Sequence, residues 1–357
     1  MNALLTTVPP WLVLTLAAAV VLATPRSVGH TVAAVATGFV FVQALMIPDG
    51  AHLDVLFLGF DVVLLNVDQF SAMMGLVVGF LATAAVIYAY SSEAPRWLTA
   101  FALTYVASTV GTIYAGDWLT VIFFWELMAV TSTLLVWQYG GEAVRAGYRY
   151  AIFHGVSGTI LLGAVVVHFA NAGTFLFAET GIHASAAVLA AIGIGINCGF
   201  VFLHTWIPDT YPRPHIAASV FLSVFTTKTA VYVMYRAFPE GGWWLAYLGG
   251  FMAVYGVFFA LLQYDPRRLL SYHIQAQVGY MLAGIGLATL GGEWGRFAVA
   301  GGFAHLFNNV LYKSLLFMVV GVVVYRTGSN YIKDMGGLWK VMPVAFLVYL
   351  VGAASIT

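Results

Sequence analysis

The sequence predicts an all-α protein, a polytopic bundle of about 11–12 transmembrane helices. Two features of its composition support this class: 62% of the 357 residues are hydrophobic and only 8% are charged. Soluble domains carry about 25% charged residues, so this chain has too little charge to cover a water-exposed surface. The third observation is that its apolar runs are continuous rather than alternating, which favours membrane helices over a transmembrane β-barrel.

Each apolar run is long enough to cross a bilayer, since about 20 residues at 1.5 Å each span a hydrocarbon core roughly 30 Å thick. The predicted spans are 9–24, 28–47, 70–90, 97–115, 118–138, 148–170, 184–206, 215–236, 243–263, 270–290 and 297–324. A twelfth run begins near Val341. Pro9 and Pro10 open the first run and no charged residue precedes it, which is typical of a membrane helix rather than a cleaved signal.

The cations predict which way the bundle is oriented. With the spans placed as above, ten lysines and arginines in the loops fall on one side of the membrane and two on the other. The ten are Arg26, Arg96, Arg145, Arg149, Arg213, Arg267, Arg268, Arg326, Lys333 and Lys340, and the two are Arg236 and Arg296. Cytoplasmic loops carry an excess of lysine and arginine. The side with ten, called here the cation-rich side, is therefore predicted to be cytoplasmic, with the N-terminus outside.

Composition and missing motifs exclude several classes of function. Fourteen basic residues balance fourteen acidic ones without any basic patch, so we expect no nucleic-acid partner. Cys198 is the single cysteine, which removes disulfide frameworks, cysteine zinc sites and iron–sulfur ligation. His154 and His168 share one span, but no second pair stands at matching depth, so haem is not expected. No nucleotide-binding loop, catalytic triad or metal cage is visible, and we expect no cofactor and no ATP-driven transport by this chain alone.

Three charged residues lie inside predicted spans: Glu126, Lys228 and Lys313. A charge at the centre of a spanning helix costs about 2.5–3.5 kcal/mol on insertion scales, so each needs a function or a partner. Glu126 is too deep in its span for a short side chain to reach water. Lys228 lies near the middle of the eighth span, and a desolvated lysine can release its proton whereas an arginine does not. These residues predict a proton or ion path, and the alternative is a static buried ion pair between two helices.

A polar stripe on the eleventh span extends the predicted path. His305, Asn309 and Lys313 are spaced four residues apart, so they follow one helix face at intervals of about 6 Å. His273 and Gln277 form a second pair at that spacing on the tenth span. Imidazole can accept and donate a proton near neutral pH, which suits a relay. The alternative is that these histidines form hydrogen bonds between helices.

The region around 184–214 predicts interrupted helices. Three prolines between 203 and 214 predict a rigid loop on the cation-rich side, since proline lacks an amide donor and disfavours helix before it. The preceding span carries Asn197 and three glycines at mid-depth. Such a composition permits either local unwinding that lines a cavity or a close helix crossing, and both interpretations stay open.

An ordered set of motifs resembles one known family. The motifs are GDWLT at 116–120, FWEL at 124–127, LHTWIPD at 203–209, TTKTAVY at 226–232, RRLLSYH at 267–273, QVGYM at 277–281 and KSLLF at 313–317. Together they resemble the antiporter-like subunits shared by Mrp-type multisubunit Na⁺/H⁺ antiporters and the proton-pumping membrane subunits of respiratory complex I. The Thr227-Lys228 and Ser271-Tyr272-His273 variants resemble the D-type subunits of the Mrp antiporters most.

The resemblance implies a domain organisation. The chain would be a single membrane domain over 1–357, made of N-terminal helices in 1–96 and two inverted five-helix units. The first unit would be 97–236. The second, 243–357, would be incomplete, because the chain ends before the proline-containing break and the lysine that the family places on its twelfth helix.

The resemblance also implies site residues. The family pairs a glutamate on its fifth helix with a lysine on its seventh, and further lysines and histidines form a hydrated axis at mid-membrane. Glu126 matches the glutamate, and Lys228, His305 and Lys313 match residues of the axis. Asn197 stands where the seventh-helix lysine is expected, and an amide cannot exchange a charge with Glu126. Asn309 stands where a second histidine often lies.

We therefore expect a proton-translocating membrane subunit of a multisubunit monovalent cation (Na⁺)/proton antiporter. Its expected partners are other membrane subunits, the lipid bilayer, protons and Na⁺, in a prokaryotic plasma membrane. The expected proton path is Glu126, Lys228, His273, His305 and Lys313, with Asn197, His204 and Asn309 as accessory residues. Two alternatives stay open: a proton-channel or coupling subunit of a complex I-like, hydrogenase or inorganic-carbon-uptake complex, and a transport-inactive assembly scaffold. The chain is expected to be a transporter subunit rather than an enzyme.

Overall fold

Helices occupy every predicted span in the computed structural model, which describes residues 8–356. The helices are α1 Pro10–Ala23, α2 Arg26–Met46, α3 Gln69–Ser91, α4 Arg96–Ile113, α5 Trp118–Trp137, α6 Glu142–Ala172, α7 Ala187–Cys198, α8 Trp206–Thr210, α9 Ile216–Val224, α10 Thr226–Ala237, α11 Trp243–Leu261, α12 Pro266–Gly286, α13 Gly292–Thr327, α14 Leu338–Val341 and α15 Pro343–Ala354. The predicted class, an all-α transmembrane bundle, is confirmed. Within the described residues, seven helical segments are long and apolar enough to cross a membrane. The predicted outward N-terminus lies outside these residues.

Neighbouring helices in sequence mostly pack against each other in space. The pairs include α2 with α3, α4 with α5, α5 with α6, α6 with α7, α11 with α12, and α12 with α13. Contacts distant in sequence close the bundle, because α10 packs on α7 and α9 packs on α13. The segment from 216 to 237 is buried along its whole length, so it forms the centre of the bundle.

A β-hairpin joins α2 to α3, between the predicted spans 28–47 and 70–90. Strand β1 (Gly50–Phe57) pairs antiparallel with β2 (Phe60–Val67). Both residues of the connecting turn, Leu58 and Gly59, have positive φ angles of 51° and 86°. Two-residue hairpins favour this backbone, since its twist matches that of the strands. Leu58 is not a residue that such turns favour, so the sequence gives little local signal for this hairpin.

The carboxylate of Asp117 fastens the hairpin to the helices. It accepts hydrogen bonds from the Val63 amide (2.8 Å), the Thr120 amide (2.7 Å) and the Thr120 hydroxyl (2.7 Å). Asp117 is thus the N-cap of α5 and an anchor for β2 at the same time. Burial raises the pKa of this carboxyl, and the three donors act in the opposite direction.

The α11–α12 pair crosses so closely that its glycines are required. A Cβ on Gly256 would lie 2.5 Å from the Ala276 amide nitrogen, whereas one on Gly250 would meet nothing within 4 Å. We expect Gly256→Ala to lower the free energy of unfolding by about 1–3 kcal/mol, because the opposing backbone has to move. Gly250→Ala, on the same helix, should change it by less than about 1 kcal/mol, in the stabilising direction.

Thermal unfolding of the two purified variants in detergent, followed by tryptophan fluorescence, checks this expectation. Equal melting temperatures for Gly256→Ala and the unchanged protein would mean that the two helices are not held at this distance.

An ion pair closes the bundle on the side opposite the cation-rich one. Asp68 precedes α3, accepts the Ser71 amide at 2.8 Å and pairs with the guanidinium of Arg236 at the end of α10. Arg236 also donates to the Tyr232 hydroxyl at 2.7 Å. Burial raises the pKa of Asp68, but Arg236 and the Ser71 donors lower it by more, so it lies below the ordinary value of 3.8.

A carboxyl whose pKa is lowered by folding contributes stability above its unfolded pKa, and this contribution disappears as the pH falls through the folded value. We therefore expect the melting temperature to fall once the pH drops below about 4, as Asp68 becomes protonated. Asp68→Asn keeps a capping oxygen but loses the charge, so its melting temperature should fall less over the same range. Asp54→Asn, on exposed β1, is the matched control. Parallel curves for all three proteins would contradict the expectation.

Candidate functional site

Lys228 lies beside a break in its helix, where the sequence predicted one continuous span. The predicted span is confirmed as one membrane-length segment, Ile216–Ala237. Its helix is interrupted at one residue: α9 ends at Val224 and α10 begins at Thr226, with Phe225 between them. The Thr226 amide donates to the Tyr105 hydroxyl at 2.9 Å instead of to its own helix. The ammonium of Lys228 donates to the Ser223 carbonyl at 3.0 Å, within the interrupted turn. The break therefore gives a buried cation a backbone acceptor.

Lys313 and His273 form a direct contact between α13 and α12. The Lys313 Nζ lies 2.6 Å from the His273 Nδ1, and 3.5 Å from the Leu270 carbonyl oxygen. Lys313 is completely buried and His273 partly so. The charge of Lys228 interacts electrostatically with Lys313, His273 and His305. The structure thus brings together four of the five residues predicted to form the proton path.

The predicted stripe on α13 continues through a tyrosine that sequence reasoning missed. The Asn309 amide donates to the Tyr312 hydroxyl at 2.8 Å, and that hydroxyl donates to the Gln277 carbonyl oxygen at 2.7 Å. Asn309 and Gln277 were each predicted to lie on a polar face. Tyr312 joins the two faces, and its position next to Lys313 is the only signal for it in the sequence.

Asn197 and His204 lie on either side of a second break. The predicted span 184–206 ends early as a helix, because α7 stops at Cys198 and Gly199 has a left-handed φ of 74°. The Gly199 carbonyl accepts the Gln275 amide from α12 at 3.2 Å. The predicted loop at 203–214 contains the short helix α8. The helix therefore ends just after Asn197, and both the Asn197 amide and the His204 imidazole are buried.

Many buried polar atoms of these elements have no hydrogen-bond partner. Among the described residues they include both amide atoms of Asn197, His204 Nδ1, Thr227 Oγ1, Thr229 Oγ1, Gln275 Oε1, His305 Nε2 and Asn309 Oδ1. A buried polar atom left without a partner costs about 1–3 kcal/mol, and internal water is the usual way to satisfy it. The arrangement is chemically suited to a file of water molecules between α7, α10, α12 and α13.

Glu126 lies apart from this group. It forms no ion pair with any residue between 8 and 356, and it is only half-buried on α5. Its carboxylate fills the space beside Gly158 of α6, where an added Cβ would lie 1.6 Å from Oε1. Phe123 and Leu127 on the same side of α5 are exposed. Lys228 is therefore not an ion-pair partner of Glu126 in this structure.

Comparisons with known proteins identify the family and the fold of this chain. The family model described as NADH:quinone oxidoreductase/Mrp antiporter, TM, matches residues 115–357. The D-type subunit of the Na⁺/H⁺ antiporter of Alkalihalophilus pseudofirmus is 26% identical over 361 residues, which cover 92% of this chain and 72% of that protein. Hydrogenase-4 component B of Escherichia coli is 25% identical over 322 residues, which cover 82% of this chain and 48% of that protein.

A solved structure has the same fold. A chain in the structure of the Mrp complex from Dietzia sp. superposes with a TM-score of 0.86 at 23% identity, covering 99% of this chain and 70% of that one. This chain is thus shorter than each of the three proteins named. The predicted resemblance is confirmed: the chain is a multi-pass, antiporter-type membrane subunit and belongs to the NADH:quinone oxidoreductase/Mrp antiporter transmembrane family.

Proposed function

We propose that this chain is the proton-translocating subunit of a multisubunit monovalent cation/proton antiporter, with Na⁺ as the exchanged cation. The observation that carries the proposal is the buried group formed by Lys228, His305, His273 and Lys313, with its 2.6 Å contact between Lys313 and His273. Likeness to the D-type antiporter subunit of Alkalihalophilus pseudofirmus supports the antiporter assignment and the choice of Na⁺.

The chemistry of the proposal follows from repulsion between like charges. Lys228 and Lys313 are both buried, and neither has a carboxylate within ion-pair distance among the described residues. A proton on one therefore disfavours a proton on the other, and interactions between buried charges are screened little by salt. Loading a proton at Lys228 would thus drive another from Lys313 through His273, with water connecting the groups.

The remaining predicted residues keep supporting roles in the proposal. Asn197, His204 and Asn309 would hold the connecting water molecules by their unpaired polar atoms. Glu126 would act at the edge of the path, as a half-buried carboxyl that gains or loses a proton without a direct ion-pair partner. The two inverted five-helix units, 97–236 and 243–357, remain part of the proposal.

Two further functions stay in competition for specific reasons. Likeness to hydrogenase-4 component B favours a proton-channel or coupling subunit of a redox complex. The amide at position 197, unpaired and fully buried, favours a transport-inactive scaffold.

An assay in inverted bacterial membrane vesicles that contain the whole host complex separates these functions. Purification of the complex through a tag on this chain verifies its assembly. We expect Na⁺ to collapse a preformed pH gradient, seen as recovery of acridine orange fluorescence, with choline as the inactive control cation. Proton movement that requires an electron donor and does not depend on Na⁺ would contradict the antiporter function and support the redox-complex function. An assembled complex that moves no protons would support the transport-inactive scaffold.

A further inference from the structure

Three buried tyrosines lie between the cation-rich surface and Lys228, and the proposed path does not use them. They are Tyr105 of α4, Tyr150 of α6 and Tyr211 after α8, named here the tyrosine cluster, and each is fully buried. Tyr211 interacts electrostatically with both of the others. Its hydroxyl has no hydrogen-bond partner among residues 8–356, which is costly unless water or a mobile proton reaches it.

Thr226 joins two members of the cluster at the break in the Lys228 helix. Its hydroxyl lies 2.5 Å from the Tyr105 hydroxyl and 3.4 Å from the Tyr150 hydroxyl. Its amide donates to the same Tyr105 hydroxyl. The Ser223 carbonyl that binds Lys228 belongs to this interrupted turn. One end of the cluster is therefore within the turn that holds the Lys228 ammonium.

The other end of the cluster lies next, in sequence, to a partly exposed ion pair. Tyr150 directly follows Arg149, which pairs with Asp209 at 2.6 Å, and both side chains of that pair are partly exposed. Tyr211 comes two residues after Asp209 and follows Thr210, whose buried hydroxyl also has no partner within the described chain. Trp206 packs its ring against Tyr150 and Tyr211 and so holds them together. The cluster thus extends from residues that neighbour a partly exposed ion pair in sequence to the interrupted turn beside Lys228.

We propose that the tyrosine cluster, through the Thr226 hydroxyl, is the proton route between the cation-rich side and Lys228. One proton from surface water bonds to the first hydroxyl oxygen while that oxygen releases its own proton to the next. The last proton bonds to the neutral amine of Lys228, so each hydroxyl is unchanged after the transfer and has only to rotate back. This inference rests on the proposed function, because it supplies the proton that the function moves.

Variants that remove only a hydroxyl test the route in the whole complex in inverted vesicles. Tyr150→Phe and Thr226→Val should lower the Na⁺-dependent proton flux by about a hundredfold or more, as loss of a positioned proton-transfer group does. Thr226→Ser restores the hydroxyl and should restore the flux. Tyr114→Phe is the control, because Tyr114 is similarly buried but lies at the opposite end of α4 from the cation-rich side, and its hydroxyl has no hydrogen-bond partner within residues 8–356.

A solvent isotope effect separates proton transfer from a merely structural role. In heavy water the flux through Tyr150→Phe should fall by a larger factor than the wild-type flux, whereas a packing defect would leave that factor unchanged. Wild-type flux in both Tyr150→Phe and Thr226→Val would overturn the route and leave the proposed function standing. Absence of flux in the unchanged complex would instead overturn the proposed function itself. If Tyr150→Phe fails to assemble, equal flux in Thr226→Val and Thr226→Ser still overturns the route.

Discussion

Replacing Lys228 with alanine is expected to abolish Na⁺-dependent proton movement while the complex still assembles. The side chain is a buried cation on a fully buried membrane segment, and its charge acts on both Lys313 and His273. Without it, no group within the broken helix can receive a proton. Loss of a positioned proton-transfer group costs about a hundredfold or more in rate, which would put the flux at background.

Two further variants test whether Lys228 transfers a proton or only supplies a fixed charge. Lys228→Arg should be as inactive as the alanine variant, because arginine keeps its proton in proteins and cannot pass it on. Lys340→Ala removes an exposed lysine from the cation-rich side and should leave the flux unchanged. Flux in Lys228→Arg equal to that of the unchanged protein would show that Lys228 supplies a fixed charge rather than a moving proton.

Lys313→Ala is expected to give a loss of similar size for a different reason. Its ammonium is the partner of His273 at 2.6 Å, so its removal separates the two ends of the path. If Lys313 and His273 act in one transfer step, the double variant with His273→Ala should be no slower than Lys313→Ala alone, since residues that act as a unit are strongly non-additive. The same vesicle assay measures all three.

Asn308→Ala is the matched control for that set, because Asn308 lies on α13 but faces outwards. Its flux should equal that of the unchanged protein. Additive losses in the double variant would contradict the shared step and place Lys313 and His273 on separate routes.

Hydropathy predicts the membrane helices of this chain because the bilayer imposes the same length and polarity on each of them. The β-hairpin and the two helix breaks escape that reasoning. The break at Phe225 is stabilised by the Tyr105 hydroxyl, which accepts a hydrogen bond from the Thr226 amide. Tyr105 and Thr226 are 121 residues apart in the sequence. No local pattern in the TTKTA segment indicates a hydrogen-bond partner so far away in sequence. The other break is different, because Gly199 marks it in the sequence.

The candidate path was predictable where its residues share a helix and not where they meet across helices. The spacing of His305, Asn309 and Lys313 follows from helix geometry alone. The contact between Lys313 and His273 depends on how α12 packs against α13, which sequence spacing does not fix. For the same reason, sequence could single out Glu126 as a deep carboxyl without showing that it lies apart from the lysines.

The interrupted turn before Lys228 gives the bundle a mechanical property. Its backbone groups bind an ammonium and a phenol where an unbroken helix would bind itself. An unbroken helix would use the Ser223 carbonyl and the Thr226 amide for its own hydrogen bonds. Straightening this segment would therefore take an acceptor from the Lys228 ammonium and a donor from the Tyr105 hydroxyl.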